Sequence, residues 1–149
     1  MANLAPLNEQ EVRNMVNDWY QKLDVHAPMV DVLPLVSEGE LKMVFPEATL
    51  TTLAEFEGWF QRVIRIFFDE VHTMKELNVT ISPDGSQADI KLVVYWEASV
   101  WNPPDRYSKR LMMDAYQTWV VKRSPKSGLP VITSYIVDKL DPKPGSAPL

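Results

Sequence analysis

The feature that most limits how this chain can fold is one long apolar stripe between residues 52 and 71. Thr52 and Glu55 match a capping box, which predicts that a helix begins there. Apolar residues then recur at helical spacing: Leu53, Phe56, Phe60, Val63, Ile64, Phe67 and Val71. A helix with so wide an apolar face must pack against a large apolar surface, which the rest of the chain has to supply.

Four strand-like segments follow this helix and can form that surface. They cover residues 72–81, 88–101, 110–123 and 130–140. Short turns such as Pro83-Asp84-Gly85 join them. Because short turns connect long strands, neighbouring strands are expected to run antiparallel.

The segments before the long helix complete an α+β pattern. Asn8, with Glu11 three residues later, predicts the start of an amphipathic helix that ends near Asp24. A short helix over 29–36 and a strand over 40–45 are predicted next. Since helices and strands are segregated along the chain, we expect a curved, mixed or antiparallel sheet wrapped around the long helix and the two N-terminal helices. A cone-shaped cavity is expected between the sheet and the helices.

Composition indicates one folded domain and excludes several kinds of site. The 149 residues are 46% hydrophobic and 23% charged, which fits a single domain over 8–140 with flexible tails at 1–7 and 141–149. The chain has no cysteine, so disulfides, thiolate metal sites and cysteine nucleophiles are ruled out. Glycine-rich phosphate loops and dinucleotide fingerprints are also missing, and no cofactor is expected.

Charge and hydropathy restrict the expected partners and location. The net charge is −5, and the 15 basic residues are scattered among 20 acidic ones, so no binding to nucleic acid is expected. No apolar run approaches the ~18 residues of a membrane span, and no membrane association is expected. Residues 1–8 lack the basic and apolar regions of a secretory signal, which favours a cytoplasmic protein whose mature chain starts near Met1.

Side-chain alternation indicates how the sheet is covered. One face of the 88–101 segment is predicted to face the core: Ala88, Ile90, Leu92, Val94 and Trp96. In 110–123 both faces are largely apolar, so the second face is expected to pack against a second subunit in a homodimer. Asp114 points into the cavity if Met112 and Tyr116 do, and lies at the dimer face if Ala115 and Trp119 point inward instead.

The order of elements and one sequence run carry a family resemblance. The segment from His72 to Val79, followed by Asp84-Gly85 and Ala88, resembles the SnoaL-like branch of the nuclear transport factor 2-like superfamily. The resemblance covers about residues 8–140 and implies a cystatin-like α+β roll. The superfamily includes polyketide cyclases, ketosteroid isomerases, dehydratases, epoxide hydrolases and proteins without catalytic activity.

The resemblance carries over to some functional positions and not to others. The catalytic Asp of ketosteroid isomerases falls near Phe45, so that base is missing. Scytalone dehydratase has an Asp at the end of its first helix and a His opening the strand after its third, and these match Asp24 and His72. Its second His falls near Tyr95 or Trp96 and its substrate-binding Asn near Tyr116, so that half of its set is absent.

Asp24 and His72 are accordingly the predicted catalytic residues. A carboxylate that fixes the tautomer of an imidazole raises its basicity and leaves the other ring nitrogen to move a proton. The alternative is structural: His72 caps the C-terminal end of the third helix, and Asp24 is a solvated turn residue. His26, in the turn after the first helix, is a further candidate.

Apolar and aromatic residues on faces that should converge are the predicted ligand-binding residues: Trp19, Phe45, Trp59, Val63, Phe67, Trp96 and Tyr116. The alternative for each is ordinary core packing. Asp69 and Glu70 adjoin His72, but with two histidines and no spaced ligand motif no metal site is expected.

Two functions of different classes remain open at this point. The first is a cofactor-independent isomerase, dehydratase, cyclase or hydrolase that acts by proton transfer on a small hydrophobic or aromatic molecule. The alternative is a non-catalytic dimeric domain that binds a small ligand or a protein partner.

Overall fold

The structure is a computed structural model that describes residues 4–149. Its helices are α1 (Glu9–Asp24), α2 (Met29–Val32, followed by a 3₁₀ turn over Leu33–Leu35) and α3 (Leu53–Ile66). Its strands are β1 (Lys42–Val44), β2 (Thr49–Leu50), β3 (Phe68–Ile81), β4 (Gln87–Val100), β5 (Lys109–Arg123) and β6 (Pro130–Pro142). They form one six-stranded sheet in the order β2-β1-β6-β5-β4-β3. Among the strands of residues 4–149, β1 and β6 pair in parallel and the other neighbours pair antiparallel, so the α+β prediction with a mixed sheet is confirmed.

Both long helices begin where the sequence places their caps. The side chain of Asn8 accepts a hydrogen bond from the backbone N–H of Glu11, and Thr52 does the same for Glu55. These bonds satisfy backbone donors that have no partner within the helix. The predicted starts of α1 and α3 are therefore confirmed.

The end of α3 differs from the prediction. The apolar stripe predicts a helix to Val71, whereas α3 ends at Ile66 and Phe67 is extended. Phe68 already pairs with Ser99 of β4, so the sheet begins immediately after the helix. Apolar residues occur in strands as well as in helices, and Val71 belongs to β3, so the pattern alone could not locate the junction.

The chain segments outside 8–140 contact the rest of the domain, and the flexibility expected for them stays a prediction. Residues 1–3 lie outside the described residues. Leu7 is buried and bonds through its N–H to the carbonyl of Gly85, while the guanidinium of Arg123 donates to the carbonyl oxygens of Ala5 and Pro6. At the other end β6 continues to Pro142, and the N–H of Ala147 bonds to the carbonyl of Arg110. Backbone pairing beyond Leu140 needs no particular side chains, so composition could not reveal it.

The helices cover one face of the sheet, here called the inner face. The predicted inward set of β4 is confirmed, since Ala88, Ile90, Leu92 and Val94 are buried and Trp96 packs against them. Trp119 of β5 is fully buried.

β5 presents Ala115 and Trp119 inward, so Asp114 and Tyr116 lie on the opposite face. Asp114 is buried there between the ammonium groups of Lys75 and Lys143. Burial alone raises the pKa of Asp114, but the hydrogen bonds from both lysines outweigh it and lower the pKa below its usual value. The homodimer through this face stays a prediction, which light scattering of the purified protein would check. Among residues 4–149 no helix is long and apolar enough to span a membrane.

Candidate active site

The end of α1 and the start of β3 bring Asp24 and His72 together across 48 positions of sequence. The Nδ1 atom of His72 lies 2.5 Å from Oδ1 of Asp24. The backbone N–H of His72 also donates to Oδ2 of the same carboxylate at 3.2 Å. Both carboxylate oxygens therefore hold His72, one through its ring and one through its backbone.

The contacts of His72 differ from those of a residue that caps α3. α3 ends six residues earlier, at Ile66, so His72 cannot cap it. Its ring lies between two aromatic side chains, 4.8 Å from the centroid of Tyr20 and 6.5 Å from that of Trp96. The side chain is only 8% exposed.

The two ring nitrogens of His72 have different surroundings. Asp24 accepts a hydrogen bond, so Nδ1 carries the proton and Nε2 of the neutral ring has a free lone pair. Among residues 4–149 no hydrogen-bond partner of Nε2 is present. His72 lines the main cavity of the structure, so this lone pair is available to a bound molecule.

The main cavity, of about 420 Å³, lies between α3 and the inner face of the sheet. This size and its largely apolar lining are typical of sites for small organic molecules. Five of the predicted ligand-binding residues line it: Phe45, Trp59, Val63, Phe67 and Trp96. His72 also lines a second cavity of about 240 Å³, together with polar residues that include Asn17, Gln21 and Asp24.

Two predicted ligand-binding residues do not reach the cavity. Trp19 is completely buried and packs against Phe56 and Trp119. Trp19 lies on the apolar face of α1. Because this face packs against the sheet, the side chain points into the core. Tyr116 lies on the outer face, where its ring contacts the Lys139 ammonium at 5.6 Å. Both predictions were wrong.

Gln117 is a cavity residue that the sequence reasoning missed. Its amide oxygen accepts hydrogen bonds from the indole N–H of Trp119 at 2.9 Å and the hydroxyl of Tyr20 at 3.2 Å. Because both donors bind the oxygen, the amide nitrogen is the group left to donate to a molecule in the cavity. A polar residue on the inward, otherwise apolar parity of β5 was the available signal.

Two tyrosines stay protonated beside this amide. Burial raises the pKa of Tyr20 well above its ordinary value, and it raises the pKa of Tyr135 to about 12. Tyr135 lines the cavity. Both hydroxyls are therefore hydrogen-bond donors, not anions, at neutral pH.

Glu70 is a second missed residue, and an irregularity in β3 precedes it. The pairing of β3 with β4 shifts register between Phe68 and Val71, and Asp69 has a φ of 50°. Such a bulge changes the direction of the following side chain. The carboxyl of Glu70 lines the cavity, is 9% exposed and lies 3.5 Å from Nε2 of His26.

Burial raises the pKa of Glu70 from 4.5 to about 7. A positive charge on His72, when its ring is protonated, and hydrogen bonding by Trp96 lower the pKa of Glu70, whereas the charge of Asp24 raises it further. Glu70 therefore exchanges its proton close to neutral pH, far above an ordinary glutamate.

We expect Glu70→Gln to stabilise the protein at pH 8 and to have little effect near pH 4. The folded state holds the Glu70 proton to about pH 7 and the unfolded chain loses it near 4.5, so the folded state binds more protons between these values. The wild type therefore loses stability as pH rises through this window, by on the order of 2–3 kcal/mol. Urea unfolding of the wild type and of Glu70→Gln at pH 4 and at pH 8 measures the difference in stability. A difference that does not change with pH would contradict the prediction.

Comparison with known proteins identifies solved structures with the same fold. The sequence matches no protein-family model and no curated protein. A provisionally named aromatic ring hydroxylase from Novosphingobium aromaticivorans superposes with a TM-score of 0.73 at 14% identity, covering 90% of this chain and 92% of the other. A provisionally named dehydratase of the nuclear transport factor 2-like family from Streptomyces avermitilis superposes with a TM-score of 0.71 at 13% identity. The match covers 91% of this chain and 95% of the other.

A dehydrochlorinase is also among the similar structures. The LinA-type3 hexachlorocyclohexane dehydrochlorinase from Novosphingobium barchaimii superposes with a TM-score of 0.71 at 10% identity, covering 94% of this chain and 92% of the other. At such identities the likeness concerns the fold and not the activity. It confirms the resemblance seen in the sequence at that level: the chain has the nuclear transport factor 2-like fold.

Proposed function

We propose that this protein is a cofactor-independent enzyme that removes a proton from a carbon atom of a small neutral molecule, leading to elimination or isomerisation. His72 is the base and Asp24 positions it. One observation carries the proposal: His72 lines an apolar cavity and its Nε2 has no hydrogen-bond partner among residues 4–149, while a carboxylate oxygen lies 2.5 Å from its Nδ1.

The pair has the chemistry that this step requires. When Nε2 takes a proton, the ring becomes an imidazolium, and the adjacent Asp24 carboxylate stabilises that positive charge. The neighbouring rings of Tyr20, tilted against the imidazole, and Trp96, stacked on it, restrict its orientation. A base positioned in this way typically accelerates a reaction by about 10²–10⁴-fold.

The cavity lining indicates the class of substrate. Leu140, Val94 and Phe67 supply apolar surface, whereas the amide nitrogen of Gln117 supplies a hydrogen-bond donor. A carbonyl oxygen bound to this donor gains negative charge when the neighbouring carbon loses its proton, and a donor already in place stabilises that charge. We therefore infer a neutral, mainly apolar carbonyl compound.

The structural neighbours support the same class of reaction. Dehydratase and dehydrochlorinase are names for enzymes that remove hydrogen and a leaving group from a substrate. Both kinds of enzyme share this fold, so the fold accommodates eliminations.

A binding screen followed by isotope exchange tests the proposal. We expect small ketones such as benzylacetone to raise the melting temperature, because a ligand bound only by the folded state stabilises it. Binders are then incubated in heavy water, and NMR follows deuterium entering the carbon beside the carbonyl. Exchange faster than in buffer supports the proposal. Binding without exchange for every binder would favour the non-catalytic ligand-binding alternative.

We expect Ala115→Phe to abolish the ligand-induced rise in melting temperature. Ala115 lines the cavity, and a phenyl ring at that position occupies the space of a ligand. Tyr116→Phe is the matched control, since Tyr116 is the next residue of β5 and its side chain lies on the outer face of the sheet. Equal ligand shifts in the Ala115→Phe variant and the wild type would show that the compounds bind elsewhere.

A further inference from the structure

The carboxyl of Glu70 is a buried acidic group that the proton abstraction described above does not use. Glu70 and His72 are two residues apart on β3 and both line the main cavity. The rise of a strand places two such side chains roughly 6–7 Å apart on one face. A molecule in the cavity can therefore contact both groups through different atoms.

The local backbone favours a functional explanation for this placement. A surface strand would leave Glu70 in water, whereas the bulge before it and the left-handed conformation of Asp69 accompany a side chain that is 9% exposed. Left-handed backbone at a residue other than glycine carries a conformational cost, and such residues cluster at active sites. A buried carboxyl is also costly unless it is neutral or paired.

Charged and titratable groups surround Glu70 on several elements. His72 lies beside it on β3, Asp24 belongs to α1, His26 to the turn after α1, and Tyr135 to β6. Arg62 of α3 and Glu47 also line the cavity, but neither is among the groups that shift the pKa of Glu70. In these surroundings the Glu70 carboxyl keeps its proton to a higher pH than a carboxyl in water does, consistent with its pKa of about 7.

We propose that Glu70 is the general acid of the reaction and that the substrates of this cavity lose a hydroxyl group as water. This inference rests on the proposed function and specifies its substrate class as β-hydroxy carbonyl compounds. A hydroxyl is a poor leaving group that needs a proton as its bond to carbon breaks, whereas a halide leaves without one.

Nε2 of His72 takes the proton from the carbon beside the carbonyl, and that C–H electron pair forms the new carbon–carbon double bond. The C–O bond breaks with its electrons on oxygen, which takes the proton of Glu70 and leaves as water. The substrate becomes an unsaturated carbonyl compound, Glu70 a carboxylate and His72 an imidazolium, and solvent returns one proton to Glu70 and removes one from His72.

His26 is positioned to return that proton. Its Nε2 atom is buried 3.5 Å from Oε1 of Glu70 and has no hydrogen-bond partner among residues 4–149, while 27% of the side chain is exposed. The ring therefore connects the carboxyl to water outside the cavity.

Three matched compounds separate the acid from the base. Benzylacetone has no leaving group, and its derivatives with hydroxyl or chlorine on the benzylic carbon differ only in that group. We expect Glu70→Gln to lower enone formation from the hydroxyl compound at least about 100-fold more than from the chlorine compound. His72→Gln is expected to slow both eliminations and the deuterium exchange of benzylacetone. Asp69→Asn, which removes a neighbouring exposed charge, is the matched control.

The outcomes distinguish this inference from the proposed function. Equal losses on both leaving groups in Glu70→Gln would overturn the inference. Wild-type protein that exchanges benzylacetone protons but expels no hydroxyl would also overturn it and would leave the proposed function standing. Wild-type protein that binds benzylacetone without exchange would count against the proposed function.

An NMR titration of ¹³C-labelled glutamate side chains checks the acid without any substrate. One carboxyl, absent in Glu70→Gln, is expected to titrate near neutral pH. A Glu70 carboxyl that is fully ionised at about pH 5 would overturn the inference whatever the kinetics show.

Discussion

Replacing His72 by Gln is expected to lower kcat for elimination from the chlorine derivative of benzylacetone by about 10²–10⁴-fold. The substitution keeps a polar side chain of similar reach at this position of the cavity wall but removes the basic ring nitrogen. Affinity for benzylacetone should change little, because apolar residues supply most of the binding surface. Steady-state kinetics and a binding isotherm on the same preparations measure both effects.

The pattern of the loss distinguishes catalysis from structure. A group that acts only in the transition state lowers kcat and kcat/KM together while ligand affinity remains. Asp24→Asn is expected to produce a smaller decrease in the same direction, since an amide still contacts Nδ1 but does not stabilise the imidazolium. Parallel loss of binding, stability and turnover in His72→Gln would instead assign His72 to the framework.

Replacing Trp19 by Ala is expected to reduce the free energy of unfolding by about 3–5 kcal/mol. Trp19 is fully buried, with ring centroids of Phe56 at 5.9 Å, Trp119 at 6.1 Å and Tyr135 at 5.6 Å. The substitution leaves a cavity where α1, α3 and the sheet meet. Urea unfolding followed by far-UV circular dichroism measures the change.

Trp101→Ala is the matched control for this experiment, because the Trp101 side chain is half exposed in the loop after β4. Its indole donates to the carbonyl of Asp105, and loss of that bond should cost only about 1 kcal/mol. Similar losses in the two variants would contradict the central position assigned to Trp19.

The sequence was most informative where a local signal and a packing pattern agree. The side chains of Asn8 and Thr52 mark the starts of α1 and α3 because a cap depends on residues within one helical turn. The inward set of β4 also followed from alternation alone. The short pair β1 and β2 was harder to predict, because β1 pairs mainly with the distant β6.

The site was predicted unevenly for a related reason. Asp24 and His72 are far apart in sequence, and the family resemblance rather than residue spacing suggested the pair. The placement of the Glu70 side chain depends on a bulge in β3. The bulge arises from the pairing of β3 with β4, and the residues of β3 alone do not indicate it. Gln117 could have been found, since it interrupts an apolar parity in β5.

Trp19 illustrates the opposite difficulty. A tryptophan on an apolar helix face fits both a pocket wall and a core, and only the packing of three elements against it shows that it lies in the core. Tyr116 was misplaced because both faces of β5 are largely apolar in sequence. Its exposure and its contact with Lys139 place it on the outer face.

The most direct test of the account is the rate at which the protein exchanges the protons beside the benzylacetone carbonyl in heavy water, measured by NMR at saturating ligand. We predict exchange well above the buffer rate for the wild type, and exchange near the buffer rate for His72→Gln with unchanged affinity. Equal exchange by the two proteins would contradict the role of His72 as the base.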